Sequence, residues 1–266
     1  YVAGPAIVAA SKLGLRTAIL NPDAIPGRAN RRLARCADLV VLQWERSRVH
    51  FPDDINCQAL GCPIRDCFAN NDVEAARRRF GLDPKRPTLL VTGASQGART
   101  VNEAMMLVWP LLAGDHPQWQ LLHLTGPSDE QRVRDAYASA GALARVLSFT
   151  HDMHLALAAA DVVVSRAGAS TLAELTALGK PSVLLPYPYH RDRHQHANAQ
   201  VLVDAGAAVM LEDSCDAETN CEPLAAALTA ILGNGAYRGR LGSSSAALSR
   251  PHAAAAVAEW MLSQAS

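Results

Sequence analysis

The most constraining feature of this sequence is a repeated alternation of short apolar runs with alanine-rich amphipathic segments. This alternation is typical of βαβ units, in which parallel strands are buried between helices. We therefore predict an α/β fold with a doubly wound parallel sheet. Helices are predicted over 73–80, 154–160 and 172–178, and only helices follow residue 222. The strands are predicted at 16–20, 38–42, 88–92, 120–125, 145–149, 162–165, 182–186 and 208–211.

The charged, proline-containing segment 66–87 separates the first two predicted strands from the other six. Segments of this composition commonly join domains. The part before it is too small for a complete Rossmann-type domain, whereas the six strands after it are enough for one. We predict one domain over 1–75 and a second over 76–266.

Bulk properties exclude several classes of function. Lysine and arginine balance aspartate and glutamate at 25 each, which argues against a nucleic-acid binder. No apolar run reaches the roughly 20 residues that a membrane-spanning helix needs. The six cysteines form no C-x-x-C pair and no zinc-like Cys/His array, so we expect reduced, structural thiols. These properties predict a cytoplasmic protein.

A first candidate binding loop follows the predicted strand 88–92 and reads Gly93-Ala-Ser-Gln-Gly-Ala-Arg99. A glycine-rich turn into a helix can hold phosphate, because backbone N–H groups and the helix dipole converge on the anion. Ser95 and Gln96 add side-chain donors. An ordinary βα turn is an equal alternative, since the spacing is not that of the dinucleotide fingerprint.

A second loop follows strand 162–165 and reads Ser165-Arg-Ala-Gly-Ala-Ser-Thr-Leu-Ala-Glu174. Glu174 at the helix entrance could accept hydrogen bonds from a ribose diol, as acidic residues do in Rossmann enzymes. The alternative is that Thr171 and Glu174 form a capping box.

The third loop opens a helix with His194-Gln-His-Ala-Asn-Ala199. Gln195 and Asn198 share one side of that helix, and amides suit sugar hydroxyls. A metal site is possible for the histidines, but no carboxylate completes a ligand set, and we interpret His196 as solvated. All three loops follow strands, so they should meet at one sheet edge.

With these loops in view, the sequence resembles glycosyltransferase family 28, and within it the undecaprenyldiphospho-muramoylpentapeptide N-acetylglucosaminyltransferases that convert lipid I into lipid II in peptidoglycan synthesis. The family's order is kept across nearly the whole chain. Four further elements carry the resemblance: Tyr1-Val-Ala-Gly-Pro5, Ala24-Ile-Pro-Gly27, Gly61-Cys-Pro-Ile-Arg65 and Phe149-Thr-His-Asp-Met153.

The resemblance implies a two-domain GT-B fold and an inverting transfer from UDP-N-acetylglucosamine to lipid-linked muramoyl pentapeptide, without metal or other cofactor. It makes 1–75 the remnant of the acceptor- and membrane-side domain and 76–266 the UDP-sugar domain, with the last helix, about 251–266, packing back on the former. It also implies a cytoplasmic enzyme that is peripheral on the inner face of the membrane and serves cell-wall growth, cell shape and division. The implied substrate-binding residues are Asp23, Arg65, Ser95, Gln96, Thr150, Ala169, Ser170, Thr171, Leu172, Ala173, Glu174, His194, Gln195 and Asn198.

Two departures from the family bear on catalysis. The family's initial glycine-rich loop, which ends in the histidine usually proposed as the base, has no counterpart here, so we expect an N-terminally truncated chain and assign no catalytic residue. Leu20-Asn-Pro-Asp23 replaces the family's His-Glu-Gln-Asn, which puts Asp23 where an asparagine is expected near the donor.

Four arginines, Arg28, Arg31, Arg32 and Arg35, recur at the spacing of one helix face. A solvated face is one interpretation, and docking on anionic lipid headgroups is the other.

For the function of the whole chain, two alternatives stay open beside lipid II formation. One is a related UDP-sugar transferase with another lipid or natural-product acceptor, and the other is a chain that binds UDP-sugar without turning it over.

Overall fold

The computed structural model describes residues 3–68, 72–93, 96–189 and 192–264. They form two compact units. The first contains the described residues up to Arg65 together with those from Ser249 onward, and the second runs from Asp66 to Leu248. No helix among the described residues is long and apolar enough to cross a membrane.

The first unit is built on a small parallel sheet. Its three strands are β1 (Ala18–Asn21), β2 (Leu39–Leu42) and β3 (Cys57–Gln58), in that order. Two helices, α1 (Ala3–Lys12) and α2 (Arg28–Leu33), precede 3₁₀ turns at Ala34–Cys36 and Glu45–His50. Strand β2 is buried along its whole length, as expected for the central strand of a covered sheet.

The second unit is built on a six-stranded parallel sheet in the order β6-β5-β4-β7-β8-β9. The chain winds outward from β4 in one direction and, from β7, in the other. This is the doubly wound order, which leaves a crevice between the carboxyl ends of β4 and β7. The strands are β4 (Thr88–Thr92), β5 (Gln120–Leu124), β6 (Ala144–Leu147), β7 (Val162–Ser165), β8 (Ser182–Leu184) and β9 (Ala208–Met210).

Helices follow the strands of this second sheet, and a large core packs one face of it. Residues that alternate along β4, such as Leu89 and Val91, bury their side chains against α4 and α9, around the fully buried Trp109. The helices of the second unit are α3 (Val73–Arg79), α4 (Arg99–Asp115), α5 (Glu130–Ser139), α6 (Met153–Ala159), α7 (Ala169–Ala177), α8 (His194–Asp204), α9 (Ala217–Leu232) and α10 (Gly235–Ala247). The last helix, α11 (Ala253–Ser263), belongs to the first unit.

Helix α3 is anchored in the second unit by a buried arginine. The guanidinium of Arg77 donates to the carbonyl of Ala159 at 3.1 Å and to Asp161 at 2.6 Å. The same Asp161 oxygen accepts the backbone N–H of Thr88, at the start of β4, at 2.7 Å. The unit therefore begins about ten residues before the predicted boundary after residue 75, because this charge pair fixes α3 to the sheet.

The two predicted central strands over 88–92 and 162–165 match the structure, and the other predicted strands differ by one or two residues at one or both ends. Strand β3 was not predicted, since two residues carry no alternation to detect. The arginine segment also differs from the prediction: Arg28, Arg31 and Arg32 lie on α2, whereas Arg35 lies in the following 3₁₀ turn.

A buried histidine on β5 supports the loop that follows that strand. His123 Nε2 lies 3.0 Å from Asn102 Oδ1, and its Nδ1 lies 2.9 Å from the Tyr137 hydroxyl. Asn102 Oδ1 can only accept, so Nε2 carries the proton and Nδ1 accepts from the tyrosine. Asn102 in turn donates to the carbonyl of Thr125 at 2.8 Å. Burial lowers the pKa of His123 to about 3, so the ring is neutral.

This histidine predicts an acid-dependent loss of stability. Its pKa is about 3 in the folded chain and about 6.5 when unfolded, so the unfolded chain binds more protons between these values and stability falls as pH drops below 6.5. The contribution lost between pH 7 and pH 5 is about 2 kcal/mol. In His123→Leu this part of the pH dependence should vanish, and the unpaired Asn102 and Tyr137 groups should cost about 1–3 kcal/mol at pH 7.

Urea unfolding at pH 7 and pH 5 measures both effects. His50→Leu is the matched control, because His50 is exposed. An unchanged pH slope in His123→Leu would contradict the assignment.

Candidate functional site

A cavity of about 550 Å³ opens at the carboxyl ends of β4, β7 and β8, which is the crevice that the doubly wound order leaves. Helices α4, α7 and α8 begin beside it. Their first N–H groups have no intrahelical acceptor, so each helix start favours an anion. The lining residues are Gly93, Gly97, Ala98, Arg99, Thr100, Arg166, Gly168, Thr171, Tyr187, Tyr189 and Gln195.

The loop between β4 and α4 can approach a ligand because glycines let it fold tightly on the next loop. Gly97 has φ +77°, and a Cβ there would lie 2.0 Å from the carbonyl oxygen of Thr125. Gly126 has φ +80°, and a Cβ there would lie 2.4 Å from the carbonyl oxygen of Gln96. Only glycine fits either position without strain. Ser95, a predicted donor of this loop, lies outside the described residues.

Helix α7 begins earlier than a capping box would require. Its N-cap is Gly168, in an extended conformation and without a side-chain cap, and Leu172 N makes a helical bond to Gly168 O at 3.0 Å. Thr171 is therefore the third helical residue and Glu174 lies in the second turn. The capping-box interpretation of this pair is wrong, and the N–H groups of the first turn face the crevice without a side-chain cap.

A buried arginine joins the loops around the cavity. Arg166, directly after β7, donates to the carbonyls of Leu185 and Pro186 at 3.0 and 3.3 Å. It also donates to the Thr100 hydroxyl at 2.9 Å and pairs with Asp213 at 2.7 Å. One side chain thus holds the start of α4 and the loops after β8 and β9.

Asp213 compensates this buried cation. Burial by itself raises the pKa of the Asp213 carboxyl, but hydrogen bonds from Thr100, Asn220, the Cys215 backbone and Arg166 outweigh it and leave the pKa below its usual range. The Asp213 side chain is fully buried and that of Arg166 is 10% exposed. Such a pair persists in a core only when its hydrogen bonds are satisfied, as they are here.

Gln195 ties two of the loops together with one oxygen. Its Oε1 accepts the backbone N–H of Ala167 at 3.1 Å and that of Tyr187 at 2.9 Å. The side-chain oxygen therefore serves the fold, and the amide nitrogen is the group that can donate to a ligand in the cavity.

The histidines of α8 have carboxylate partners that the sequence did not reveal. His194 Nε2 lies 2.7 Å from Asp192, and His196 Nε2 lies 2.9 Å from Glu212. The His196 contact lies at the surface, since the Glu212 side chain is 72% exposed, so His196 is partly solvated and also has a carboxylate partner. Among the described residues no group of three or more histidine, cysteine, aspartate or glutamate side chains is arranged to hold a metal ion.

The structure brings two of the predicted binding residues, Thr171 and Gln195, into the cavity wall. Ala169 and Ser170 lie at the start of α7, whereas Leu172 and Ala173 are buried inside it and Glu174 is half-buried. Gln96 is exposed beside the glycine loop, and His194 is half-buried at the start of α8.

Other predicted binding residues lie away from the cavity wall. Asn198 is fully buried and does not line the cavity. Asp23 and Arg65 belong to the first unit. The backbone carbonyl oxygen of Asp23 accepts hydrogen bonds from the side chains of Asn21 and Ser47. The Arg65 side chain is exposed.

Thr150 lies beside a second cavity, of about 420 Å³, and none of the described residues that line it also lines the first. The Thr150 hydroxyl accepts the backbone N–H of Asp152 at 3.0 Å, which shapes the loop between β6 and α6. Asp152 also pairs with Arg79 at 2.9 Å. The loop after β6 is thus held by its own turn and by α3.

Sequence reasoning gave no binding role to five wall residues with polar or aromatic side chains: Arg99, Thr100, Arg166, Tyr187 and Tyr189. Arg166 carried a usable signal, because an arginine between a buried strand and a helix N-terminus is rarely incidental. The two tyrosines stand in a Pro-Tyr-Pro-Tyr run directly after a predicted strand. That position alone marks them as candidates for the sheet edge.

Comparisons with known proteins agree on one family. The model of the glycosyltransferase family 28 C-terminal domain matches residues 88–256. A UDP-N-acetylglucosamine–N-acetylmuramyl-(pentapeptide) pyrophosphoryl-undecaprenol N-acetylglucosamine transferase of Desulforamulus reducens is 39% identical over 95% of this chain and 68% of its own length. The transferase of that name from Chlorobaculum parvum is 40% identical over 97% of this chain and 69% of its own.

Solved structures show the same architecture. The crystal structure of Acinetobacter baumannii MurG matches with a TM-score of 0.76 and 27% identity, over 99% of this chain and 71% of that one. A UDP-GlcNAc 2-epimerase from Neisseria meningitidis, bound to UDP-GlcNAc, matches with a TM-score of 0.69 and 15% identity, over 98% and 73%. The latter likeness concerns the fold alone.

The packing of the glycine loop predicts a sharp difference between two Gly→Ala changes. Gly97→Ala should lower the free energy of unfolding by more than about 2 kcal/mol, because the new Cβ has a strained φ and collides with the Thr125 carbonyl. Gly114→Ala is the control: it lies within α4 with open space around it, and should be neutral or stabilising by up to about 1 kcal/mol. Denaturant unfolding measures both, and equal stability of the two variants would contradict this account of the loop.

Proposed function

Because the chain belongs to glycosyltransferase family 28, we propose that it transfers N-acetylglucosamine from UDP-N-acetylglucosamine to the C4 hydroxyl of lipid-linked N-acetylmuramoyl pentapeptide, forming lipid II from lipid I. The observation that carries this proposal is the cavity at the sheet's switch point, where several helices begin. The donor and acceptor are those that the relatives are named for.

The donor diphosphate would lie between the starts of α4 and α7. The backbone N–H groups of both first turns supply partial positive charge there without any side chain. Arg99 brings an exposed guanidinium to the cavity wall, where it pairs at 2.9 Å with Glu103, an acid that it shares with Arg132. Because Arg166 is neutralised by Asp213 and Arg99 is partly offset by Glu103, the attraction for phosphate comes mainly from the helix starts.

The uridine would extend from the diphosphate toward the start of α6. Glu174, one turn into α7, would accept from the ribose hydroxyls, and the backbone of Thr150 would meet the uracil. Gln96 and Ser95, in the loop after β4, would donate to the diphosphate. Residues 1–75 are proposed as the remnant of the acceptor-side domain, and the donor contacts of Asp23 and Arg65 within it stay a prediction.

The sugar would then lie at the start of α8. With Gln195 Oε1 committed to two backbone N–H groups, its Nε2 donates to a sugar hydroxyl. His194, held by Asp192, stands on the same first turn. Asn198 is buried one turn further on, so it would support the sugar subsite through the fold.

The chemistry that this site supports is direct displacement at the sugar carbon with inversion. The acceptor hydroxyl forms the new bond as the bond to the diphosphate breaks, and the leaving UDP gains negative charge. That charge develops at the starts of α4 and α7, which is where preorganised N–H donors lower the barrier most. The residue that takes the acceptor's proton is not assigned.

We also propose that the first unit approaches anionic lipid on the cytoplasmic face of the membrane. Residues 1–65 carry a net positive charge, because they contain nine lysines and arginines and five acidic residues. The arginines at 28, 31, 32 and 35 are all exposed, and α2 has no buried residue. Each basic residue near such a surface contributes about 1 kcal/mol.

The donor site predicts a specific loss when its ribose contact is removed. In calorimetry with UDP-N-acetylglucosamine, Glu174→Ala should bind about 1–3 kcal/mol more weakly than the unchanged chain, because two ribose hydroxyls lose a charged acceptor. Glu218→Ala, an exposed glutamate in the first turn of α9, is the matched control and should bind normally. If Glu174→Ala binds as well as the control, Glu174 has no part in the donor site.

The lipid proposal predicts charge-dependent vesicle binding. Replacing the four arginines with glutamate should abolish sedimentation with phosphatidylglycerol vesicles at low salt, since each reversal removes an attraction of about 1 kcal/mol and adds a repulsion. Binding that survives the reversal would end the proposal. The control reverses four exposed basic residues of the second unit, namely Arg78, Lys85, Arg134 and Arg240.

A further inference from the structure

Two tyrosine rings form an aromatic wall of the first cavity, and nothing in the proposed donor contacts uses them. Tyr187 and Tyr189 are 39% and 66% exposed, although both belong to the loop that closes the cavity beside Gln195. Their ring centroids lie 5.4 Å apart at an interplanar angle of 64°, an edge-to-face pair. Rings held in this way at a cavity wall are typical of ligand sites.

Tyr187 is held rigidly in its place. Pro186 and Pro188 flank it, and a residue before proline is confined to extended backbone. Its backbone N–H donates to Gln195 Oε1 at 2.9 Å, which sets the ring next to the amide proposed for the sugar. The guanidinium carbon of Arg166 lies 5.8 Å from the ring centroid, so a buried, immobile cation also fixes the ring.

We propose that Tyr187 is the stacking platform for the N-acetylhexosamine of the donor, on whose ring the apolar C–H face of the pyranose lies while Gln195 donates to its hydroxyls. This proposal rests on the proposed function and names a specificity-determining residue of the same site. Tyr189 packs edge-on against Tyr187 and keeps the ring from turning away. A rigid ring loses little entropy when a sugar is placed on it, so its contact area translates efficiently into affinity.

The position of the ring favours the sugar over the uracil. Gly168 and Thr171, at the proposed diphosphate site, line the same cavity as Tyr187. Thr150, the proposed uracil contact, lines the other cavity. The hexose and the nucleoside are joined to opposite ends of the diphosphate. A nucleoside directed toward Thr150 therefore leaves the hexose at the Tyr187 wall.

Calorimetry of the full chain with UDP and with UDP-N-acetylglucosamine tests the proposal. Tyr187→Ala should raise the Kd for UDP-N-acetylglucosamine about five- to tenfold, while the Kd for UDP stays within about twofold. Tyr187→Phe, which keeps the ring, should bind both ligands normally. Tyr237→Ala is the matched control, because that ring also carries an arginine, Arg240 at 5.5 Å, but lies on α10 outside the cavity.

Saturation-transfer NMR on the unchanged chain gives a second readout that needs no variant to fold. Irradiation of aromatic protein protons should transfer most strongly to the sugar C–H protons of the bound donor. An equal loss of affinity for UDP and UDP-N-acetylglucosamine in Tyr187→Ala would overturn the proposal, because the ring would then serve the nucleotide or the loop. Unchanged affinity for both would also overturn it. If the unchanged chain bound neither ligand, the donor site itself would be refuted.

Discussion

The cavity of the second unit depends on one buried ion pair. Arg166 follows the central strand β7 and Asp213 follows the edge strand β9, and their side chains meet at 2.7 Å with almost no exposure to solvent. A buried charge is tolerated only when it is paired and fully hydrogen-bonded. Arg166 meets that condition by donating to the loop after β8 and to Thr100 at the start of α4. The pair therefore holds four chain segments in one arrangement, and the cavity is the space between them.

A second support lies behind the glycine loop. Asn102, on α4, bonds to His123 on β5 and to the carbonyl of Thr125, and Gly97 packs directly on that carbonyl. The neutral imidazole is thus connected to the loop proposed for the diphosphate through one amide side chain. Because each of these groups has its partner inside the core, Gly97 and the start of α4 keep their arrangement before any ligand is present. Preorganisation of this kind lowers the cost of binding and of stabilising a developing charge.

The charged residues of the site have two roles: some attract the ligand, and others hold the fold of the cavity. Arg166 and Asp213 cancel, so they shape the cavity and add little net field. The positive potential for a phosphate comes from the backbone at the helix starts and from Arg99, whose partner Glu103 is shared with Arg132. Gln195 has both roles in one side chain, because its oxygen joins two loops while its nitrogen is proposed to donate to the sugar.

The sequence by itself determined the fold class, the six strands of the second sheet and the three loops of the candidate site. The hydrophobic periodicity of a segment and the turn residues at its ends are local properties, so they can be read from the sequence. The loops then meet at one edge because the carboxyl ends of parallel strands lie on the same side of the sheet. It did not determine where α7 begins, because Thr171 and Glu174 satisfy a capping motif that the chain does not use, nor the two-residue strand β3.

Only the tertiary structure decided that Gln195 reaches the cavity while Asn198 is buried, and that Arg166 pairs with Asp213, 47 positions away in the printed sequence. Tyr187 likewise became a wall residue only when the loops came together. Such contacts depend on which loops the strand order makes neighbours, and no local pattern carries that information.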